Sequence, residues 1–545
     1  MTGPAPRWWG WAEPAHPPRL PGAGLALLRA GIGLPEGARG ERVELEQVEL
    51  PESALPQAAL RRLRDAVGEE NVRAERIDRV VHAAGKSYPD LIRLRSGDAS
   101  MAPDAVVFPG SAEEVAAVLA ACADEGVAVV PFGGGTSVVG GVEPLRGPFG
   151  SVVTLDLGRI DGLSVDRRSL LATFGAGLRG PAAEARLASR GLTLGHFPQS
   201  YEFASIGGYV ATRSAGQAST GYGRIDEMVR GVRLVAPAGE LVVKPFPASA
   251  AGPAMRELVV GSEGALGVIT EATLSVRPLP AERRYEGWSF RSFAEGTEAF
   301  RLMEQAHASP DVARLSDEEE TRLTLALASS GSLAERAGRA YLRARGHEGG
   351  CIAIVGFEGD EREVGRRAGV ARETLRGAGG LPLGSRPGEA WLRGRYSGPY
   401  MRDELLDRGV MVETLETAAT WTDLHGVHDA VAQALRGALA ARGTPALVGC
   451  HVSHLYPSGA SLYFTWIARQ ERGAELEQWR AAKTAACDAI VASGGTITHH
   501  HAVGRDHAPW LRAEIGDLGV DVLRAAKQRL DPAGIMNPGK LLPGI

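Results

Sequence analysis

A chain of 545 residues is longer than one hydrophobic core usually supports, so two or three domains are expected. Its 65 acidic and 60 basic side chains are interspersed to a net charge of −5, which provides no electrostatic footprint for nucleic acid. The four cysteines, Cys122, Cys351, Cys450 and Cys487, stand far apart without a C-x-x-C, which argues against a disulfide framework or zinc knuckle and for a reducing compartment.

The front lacks the charged, apolar and small-residue succession of a signal peptide, and no apolar run approaches the roughly 20 residues that span a bilayer, so a soluble protein is expected. Residues 1 to about 50 are rich in Pro, Gly and Trp, lack periodicity, and read as an ordered but irregular wrap. A helix is expected over 55–67 and a short strand over 103–107. Ser111 and Glu114 form an S-x-x-E capping box before Val115, Val118, Leu119 and Cys122, whose spacing gives a helix one apolar face. Apolar 127–130 then delivers a strand into a glycine loop, and 152–155, 170–173 and 231–234 continue the β-rich pattern around a helix at 181–190. Past Pro278 and Pro280 the expected order is strand 288–290, helix 297–308, strand 351–358, helix 361–377, strand 462–466 and helix 475–493, which implies an α+β cap.

Three small-residue loops carry the cofactor signal. The first is Pro131-Phe132-Gly133-Gly134-Gly135-Thr136-Ser137, where side chains shrink and backbone N–H groups can form a nest for a phosphate or pyrophosphate. A glycine triplet alone is as often a tight turn. A second loop, Gly261-Ser262-Glu263-Gly264-Ala265-Leu266-Gly267, precedes a β-rich run containing Ile269. A third stretch holds Pro198, Ser200, Ala204, Ser205, Gly207 and Gly208, then Thr212, Arg213, Ser214 and Ala215. No P-loop Lys accompanies the first two loops, and neither reads as the strand, G-x-G-x-x-G and helix of a dinucleotide fold, so a bound diphosphate cofactor fits better than a turned-over triphosphate.

His499-His500-His501 follows Thr496-Ile497-Thr498, a β-like lead. In an extended chain His499 and His501 share one face and His500 takes the other. Imidazole titrates near neutrality and is the usual proton shuttle. A polar run on an exposed loop is the bland alternative, and a metal is disfavoured because the H-x-H pair has no carboxylate or Cys nearby in sequence. Arg402 offers a planar fork to an anion, although an Arg followed by two acids is by pattern alone a solvated surface group. Arg505 is a secondary anion candidate. Tyr463 alternates with Leu462 and Phe464 on an expected strand, where core packing explains it equally well. His451 and His454 lie within possible reach of the cofactor, whereas His425 and His428 read as surface or cap residues.

Together the loops resemble the FAD-binding domain of the vanillyl-alcohol-oxidase type, in which FAD lies extended between two α+β subdomains. Gly207 to Arg213, Gly261 to Thr273, Tyr400 to Asp403, Ser461 to Phe464 and Gly494 to His501 occur in the order found in the alkyldihydroxyacetonephosphate synthase family, and Arg7-Trp8-Trp9-Gly10-Trp11 is similar to its amino-terminal tryptophan motif. The resemblance implies an α+β protein divided into a wrap (1–100), a two-subdomain FAD-binding domain (101–280), an α+β cap (281–495), and a His segment with a return to the FAD domain (496–545), the last through 531–540. It also implies that His499, His500, His501, Tyr463 and Arg402 are active-site residues. No His or Cys occupies the first loop, where relatives that tether their flavin often have one, so noncovalent FAD is expected; His196, near the third loop, keeps the alternative open.

The activity implied is exchange of the fatty acid of acyl-dihydroxyacetone phosphate for a fatty alcohol, without net redox change. The alternative is an FAD-linked oxidoreductase of a 2-hydroxy acid or phenolic alcohol; a flavin-binding protein without catalysis is disfavoured by the His, Arg and Tyr positions. Ala502 departs from the family, which usually has Gly after its His triplet, and its methyl is expected to narrow the site or change its substrate. The carboxyl end is not a Ser-Lys-Leu address, so a prokaryotic cytoplasmic setting is expected, with membrane-surface contact and a homodimer both open.

Overall fold

Strand Val127–Phe132 is buried along nearly its whole length, as an apolar run covered on both faces should be. In the computed structural model, which describes residues 7–12, 20–329 and 331–542, it joins a four-stranded sheet ordered Val72–Arg73, Ala105–Val107, Ser151–Asp156, Val127–Phe132. The last three strands run parallel and the first antiparallel to its neighbour. The outer edge of Val127–Phe132 is sealed by the returning carboxyl-terminal segment, where Val129 bonds to both Ile535 and Asn537. Helix Ala112–Glu125 starts on Ser111, whose Oγ accepts the Glu114 N–H at 3.1 Å. The Glu114 carboxylate turns to the Gly110 N–H instead, so the expected capping box closes on one side only.

A five-stranded antiparallel sheet forms the second subdomain, ordered Leu163–Asp166, Leu171–Gly175, Val268–Ser275, Val229–Ala236, Gly239–Val243. One continuous core joins both sheets, drawing Val129 and Val153 from the first and Phe174, Val232 and Ile269 from the second.

The cap is an eight-stranded antiparallel sheet running Leu381–Gly384, Glu282–Phe290, Cys351–Gly359, Val312–Ser316, Ala446–Val452, Gly459–Arg469, Val410–Thr420, with Leu455–Tyr456 hairpinned onto Gly459–Arg469. Leu462, Phe464 and Trp466 point into a core shared with helices Phe293–Gln305, Glu361–Gly377, Leu424–Ala441 and Glu475–Ala492. Alternation turns Tyr463 to the opposite face. The fold is thus α+β with two cofactor-binding subdomains and an α+β cap, as expected.

Five cap strands, Val312–Ser316, Leu381–Gly384, Ala446–Val452, Leu455–Tyr456 and Val410–Thr420, were not legible among the expected elements, and the last supplies the acids of the site. The wrap is less irregular than its composition suggests. Helix Gly22–Ile32 places Leu28 and Ile32 against Leu323, Leu405 and Leu447 of the cap, because an apolar stripe is stabilised by tertiary burial even where propensity is poor. Residues 543–545, part of the carboxyl end, lie outside the described residues. Among the described residues no helix is long and apolar enough to cross a membrane.

Candidate active site

The first glycine loop leaves its strand and runs straight into the third. A Cβ built on Gly133 would stand 2.2 Å from Ser205 Oγ, and one on Gly134 2.2 Å from the Phe203 carbonyl oxygen, distances no real side chain tolerates. The N–H groups of Gly133, Gly134, Gly135, Thr136 and Ser137 find no acceptor among the described residues. Five successive unclaimed donors fit a bound diphosphate. Gly134 itself is explained by loop packing rather than by room for a ligand. Gly134→Val is therefore expected to force the 203–204 turn away, costing about 1–3 kcal/mol as overpacking does, and to lower flavin content as a consequence. Thermal unfolding of the flavin-free protein checks this, since a valine that merely obstructs the diphosphate leaves the apoprotein's midpoint unchanged.

The second loop is not the open nest its composition suggests. The N–H groups of Gly261, Ser262, Glu263 and Ala265 are spent on the carbonyls of Val210, Val259, Ala211 and Ser262. Glu263 is buried and braces the chain beyond the His triplet, accepting the Val503 N–H at 2.8 Å and the Gly504 N–H at 2.6 Å. Burial pushes its carboxyl up to about 7 against those two donors. Gly264, at φ +75°, abuts Pro131, while Leu266 and Ile269 enter the core, Ala265 packs with Ile497 and Val503, and Gly267 leads into strand Val268–Ser275.

In the third loop Ser205 Oγ caps the Gly208 N–H, Thr212 Oγ1 donates to the Gly208 carbonyl, and Gly207 packs on Ala176. Ser200 and Pro198 supply turn carbonyls, Ala204 and Ala215 are buried, and Ser214 meets His196 at 3.1 Å. Arg213 is turned to the Val260 carbonyl, Glu257 and Asp226, which makes it a brace for the second loop.

The His triplet does not form the expected extended segment. Residues 498–501 curl around Glu416, a buried side chain from strand Val410–Thr420. Its Oε1 accepts the His500 N–H at 3.0 Å, the His501 N–H at 2.6 Å and the Thr498 hydroxyl at 2.8 Å, while Oε2 accepts the His499 N–H at 2.5 Å. Three successive N–H groups aimed at one carboxylate require a tight bend, so the rings fan out instead of alternating. His499 Nδ1 and His500 Nδ1 are 2.9 Å apart, and the His500 and His501 ring centres 4.8 Å apart. Tyr463 lies parallel to His500 at 6.0 Å and edge-on to His501 at 5.5 Å. His454 stacks on His499 at 4.9 Å, and His196 reaches close enough to influence His500 electrostatically.

The fold thus supplies a carboxylate that the sequence places far away, and it gathers ligand atoms of His454, His499 and His500, and of Glu416, His500 and His501, within 4.8 Å. Both Glu416 oxygens are already claimed by N–H and O–H donors, which suits an anchor better than a metal ligand.

Burial dominates the electrostatics. It pulls His500 down to about 3, and His499, His501 and His454 below the usual imidazole range, so all four rings are neutral at pH 7. Burial also pushes the Glu416 carboxyl up, but the His500, His501 and His499 imidazoles, which carry charge only in acid, and the backbone donors outweigh it and hold it well below normal. The Tyr463 phenol is pushed up to about 12 by burial and stays protonated.

Arg402 lies in helix Gly398–Leu406 and is not the solvated residue its neighbours suggest, with 8% of its surface exposed. Nη2 pairs with Glu413 at 3.0 Å, Nη1 donates to the Lys86 carbonyl at 3.0 Å, and Nε has no partner among the described residues. Lys86 in turn donates its N–H to the Ser137 carbonyl, tying the Arg402 environment to the first glycine loop. Asp403 accepts the Trp11 N–H at 2.8 Å, which locks the tryptophan segment onto the same helix. Arg505 is paired with Glu143 at 2.8 Å through one guanidinium nitrogen. His451 stacks on Tyr463 at 4.8 Å while held by Glu320 and Arg314. His425 and His428 sit in the cap against Thr297 and Asp317, apart from the cluster.

Ala502 adopts φ +76°, a left-handed conformation that costs an L-residue about 1–2 kcal/mol and a glycine almost nothing. A glycine at this position would carry no such backbone cost. Ala502→Gly is expected to stabilise the protein by about 0.5–1 kcal/mol once the entropy of the more flexible unfolded chain is subtracted, visible as a raised thermal midpoint with turnover kept.

Residues 103–243 match the family described as "FAD binding domain", and residues 279–541 the family described as "FAD linked oxidases, C-terminal domain". The chain is 35% identical to an alkyldihydroxyacetonephosphate synthase of Dictyostelium discoideum over 87% of its own length and 79% of that protein. It is likewise 35% identical to one of Trypanosoma brucei brucei, over 88% of its length and 80% of the relative. A solved alkyldihydroxyacetonephosphate synthase superposes with a TM-score of 0.85 at 29% identity, covering 98% of both chains. The unclaimed amides of the first loop, the two subdomains that flank it and these likenesses agree: the chain belongs to the alkyldihydroxyacetonephosphate synthase family of enzymes, whose cofactor is FAD.

Proposed function

We propose that this enzyme exchanges the acyl chain of acyl-dihydroxyacetone phosphate for a fatty alcohol, producing the alkyl ether used in ether-lipid synthesis. The observation that carries the reading is the neutral His500–His499 pair beside Tyr463 and Arg402, in a family bearing this name. When bound, FAD supplies the isoalloxazine chemistry, held on this reading by the amides of 133–137 and the 205–208 turn. Residues 101–280 hold the flavin and 281–495 form the cap. The attachment is noncovalent. His82, packed on Phe132, has its ring nitrogens taken by the Asp78 carbonyl at 2.6 Å and by Asp156 at 3.0 Å, which leaves His82 no free ring nitrogen, while His196, near the third loop, bonds Ser214 through Nε2 and has no partner at Nδ1 among the described residues.

Proton removal from carbon and from the incoming alcohol needs a base that is unprotonated at neutral pH, which the buried imidazoles supply. Arg402 keeps Nε free and holds the phosphate or the departing carboxylate. Incubation with acyl-dihydroxyacetone phosphate and hexadecanol, followed by mass analysis, should yield the ether. The match to FAD-linked oxidases favours a second reading, oxidation of a 2-hydroxy acid or phenolic alcohol. Under anaerobic conditions such a substrate bleaches the flavin stoichiometrically, whereas the transfer leaves no reduced flavin after turnover.

Arg402→Lys is expected to lower kcat/KM by about 10–150-fold, the equivalent of one charge-assisted hydrogen bond at about 1.5–3 kcal/mol, because an ammonium cannot span Glu413, the Lys86 carbonyl and an anion at once. A loss greater for the phosphorylated substrate than for its dephosphorylated analogue identifies phosphate as the partner. Equal losses point to a carboxylate or a flavin contact, and unchanged kinetics refute a place in the site.

A further inference from the structure

His499 is bonded at both ends. Its Nδ1 meets His500 Nδ1 at 2.9 Å, and its Nε2 meets Tyr456 Oη at 2.6 Å. Tyr456 lies on the short hairpin strand Leu455–Tyr456, pinned where Trp421 Nε1 and Gln305 Nε2 both donate to the Pro457 carbonyl. Tyr456 also lines a cavity of about 520 Å³, open to solvent and walled by Ala418, Ser458, Gly495, Thr496 and Glu514. No residue of the three flavin loops lines that cavity. At the inner end, His500 keeps 13% of its side chain open beside Tyr463, and its Nε2 has no partner among the described residues.

We propose that His500, His499 and Tyr456 form a proton relay that carries the substrate's proton out of the site into the cavity behind it, with Tyr456 as its outer terminus. The proposal rests on the reading that His500 takes a substrate proton. The step balances with every group neutral before and after. His500 Nε2 gains the substrate proton as its Nδ1–H passes to His499 Nδ1; the His499 Nε2–H passes to Tyr456 Oη; and the phenolic proton leaves to water in the cavity. The observed contacts match this tautomer pattern, in which each donor faces one acceptor. Burial pushes the phenol up to about 12, against the opposing influence of the Arg224 guanidinium. Tyr456 therefore transfers protons as a hydroxyl, accepting one while releasing another, and does not store charge.

The test uses 15N-histidine-labelled, FAD-loaded protein without substrate, and measures by NMR the exchange of the His499 and His500 ring N–H protons with water. Tyr456→Phe keeps the ring against His499 and removes only the oxygen. Ring exchange is expected to slow by about tenfold or more, within the range proton-transfer groups contribute, with flavin content unchanged. Ala419→Leu narrows the cavity while keeping every relay group, and is expected to slow the same exchange even if the phenylalanine variant folds poorly. Unchanged exchange in both variants overturns the relay. Because no substrate is present, that outcome is separate from failure of the ether-forming assay, which would refute the proposed reaction alone. During turnover the phenylalanine variant should also be rescued by imidazole buffer, which a purely structural role for Tyr456 does not predict.

Discussion

Replacing His500 by glutamine is expected to lower turnover by about 10²–10⁴-fold, the usual contribution of a positioned proton-transfer group, while FAD stays bound. The separation follows from placement. His500 contacts His499, His501, His454 and Tyr463, whereas the open amides that suit the diphosphate lie in the loop at 133–137. Flavin stoichiometry after purification and kcat under saturating substrate check both halves, and a variant losing flavin and activity together would point to a structural role.

The same substitution bears on pH dependence. The base must be neutral to act, and burial holds His500 down at about 3, far under its ordinary 6.5. Protonation therefore removes the base only in strong acid. The wild-type kcat/KM is expected to stay flat from pH 8 to well below 6, as long as the protein remains folded. An acid limb centred near 6.5 would show instead that the ring is solvated.

Glu416→Gln is expected to be as damaging by a different route. The buried carboxylate satisfies three backbone N–H groups and one hydroxyl, all at least partly buried. An amide of the same shape offers one oxygen and turns its NH₂ toward those donors, leaving part of the set unpaired at about 1–3 kcal/mol for each group. A stability loss of about 3–5 kcal/mol follows, similar to breaking a buried charged contact, together with loss of the bend that fans the His rings. Thermal unfolding of the FAD-loaded variant measures the first effect, and the dispersion of the His ring NMR signals the second. Glu416→Asp, which retains the charge on a shorter arm, should recover part of both. If the glutamine variant melts with the wild type, the bend does not depend on the carboxylate.

The apolar run at 127–130, the small residues after it, and the chemistry of His, Tyr and Arg in motif order were all readable along the chain, because strand burial, close backbone approach and side-chain type are local properties. So were helices such as Glu361–Gly377, whose period needs no partner to be visible. The orientation of the His triplet was not local. Three consecutive residues after a β-like lead suggested alternation, and only Glu416, 83 residues before His499 and on a strand that gave no clear signal, bent them around itself. Sequence composition likewise presented the loop at 261–267 as a second nest and Arg402 as a surface residue. Tertiary contacts reversed both, by spending the loop's amides on the carbonyls of Val210, Val259 and Ala211 and by burying Arg402 against Glu413. A buried charge or backbone donor must find its partner wherever the fold brings one, and that partner's place in the sequence carries no trace of the pairing.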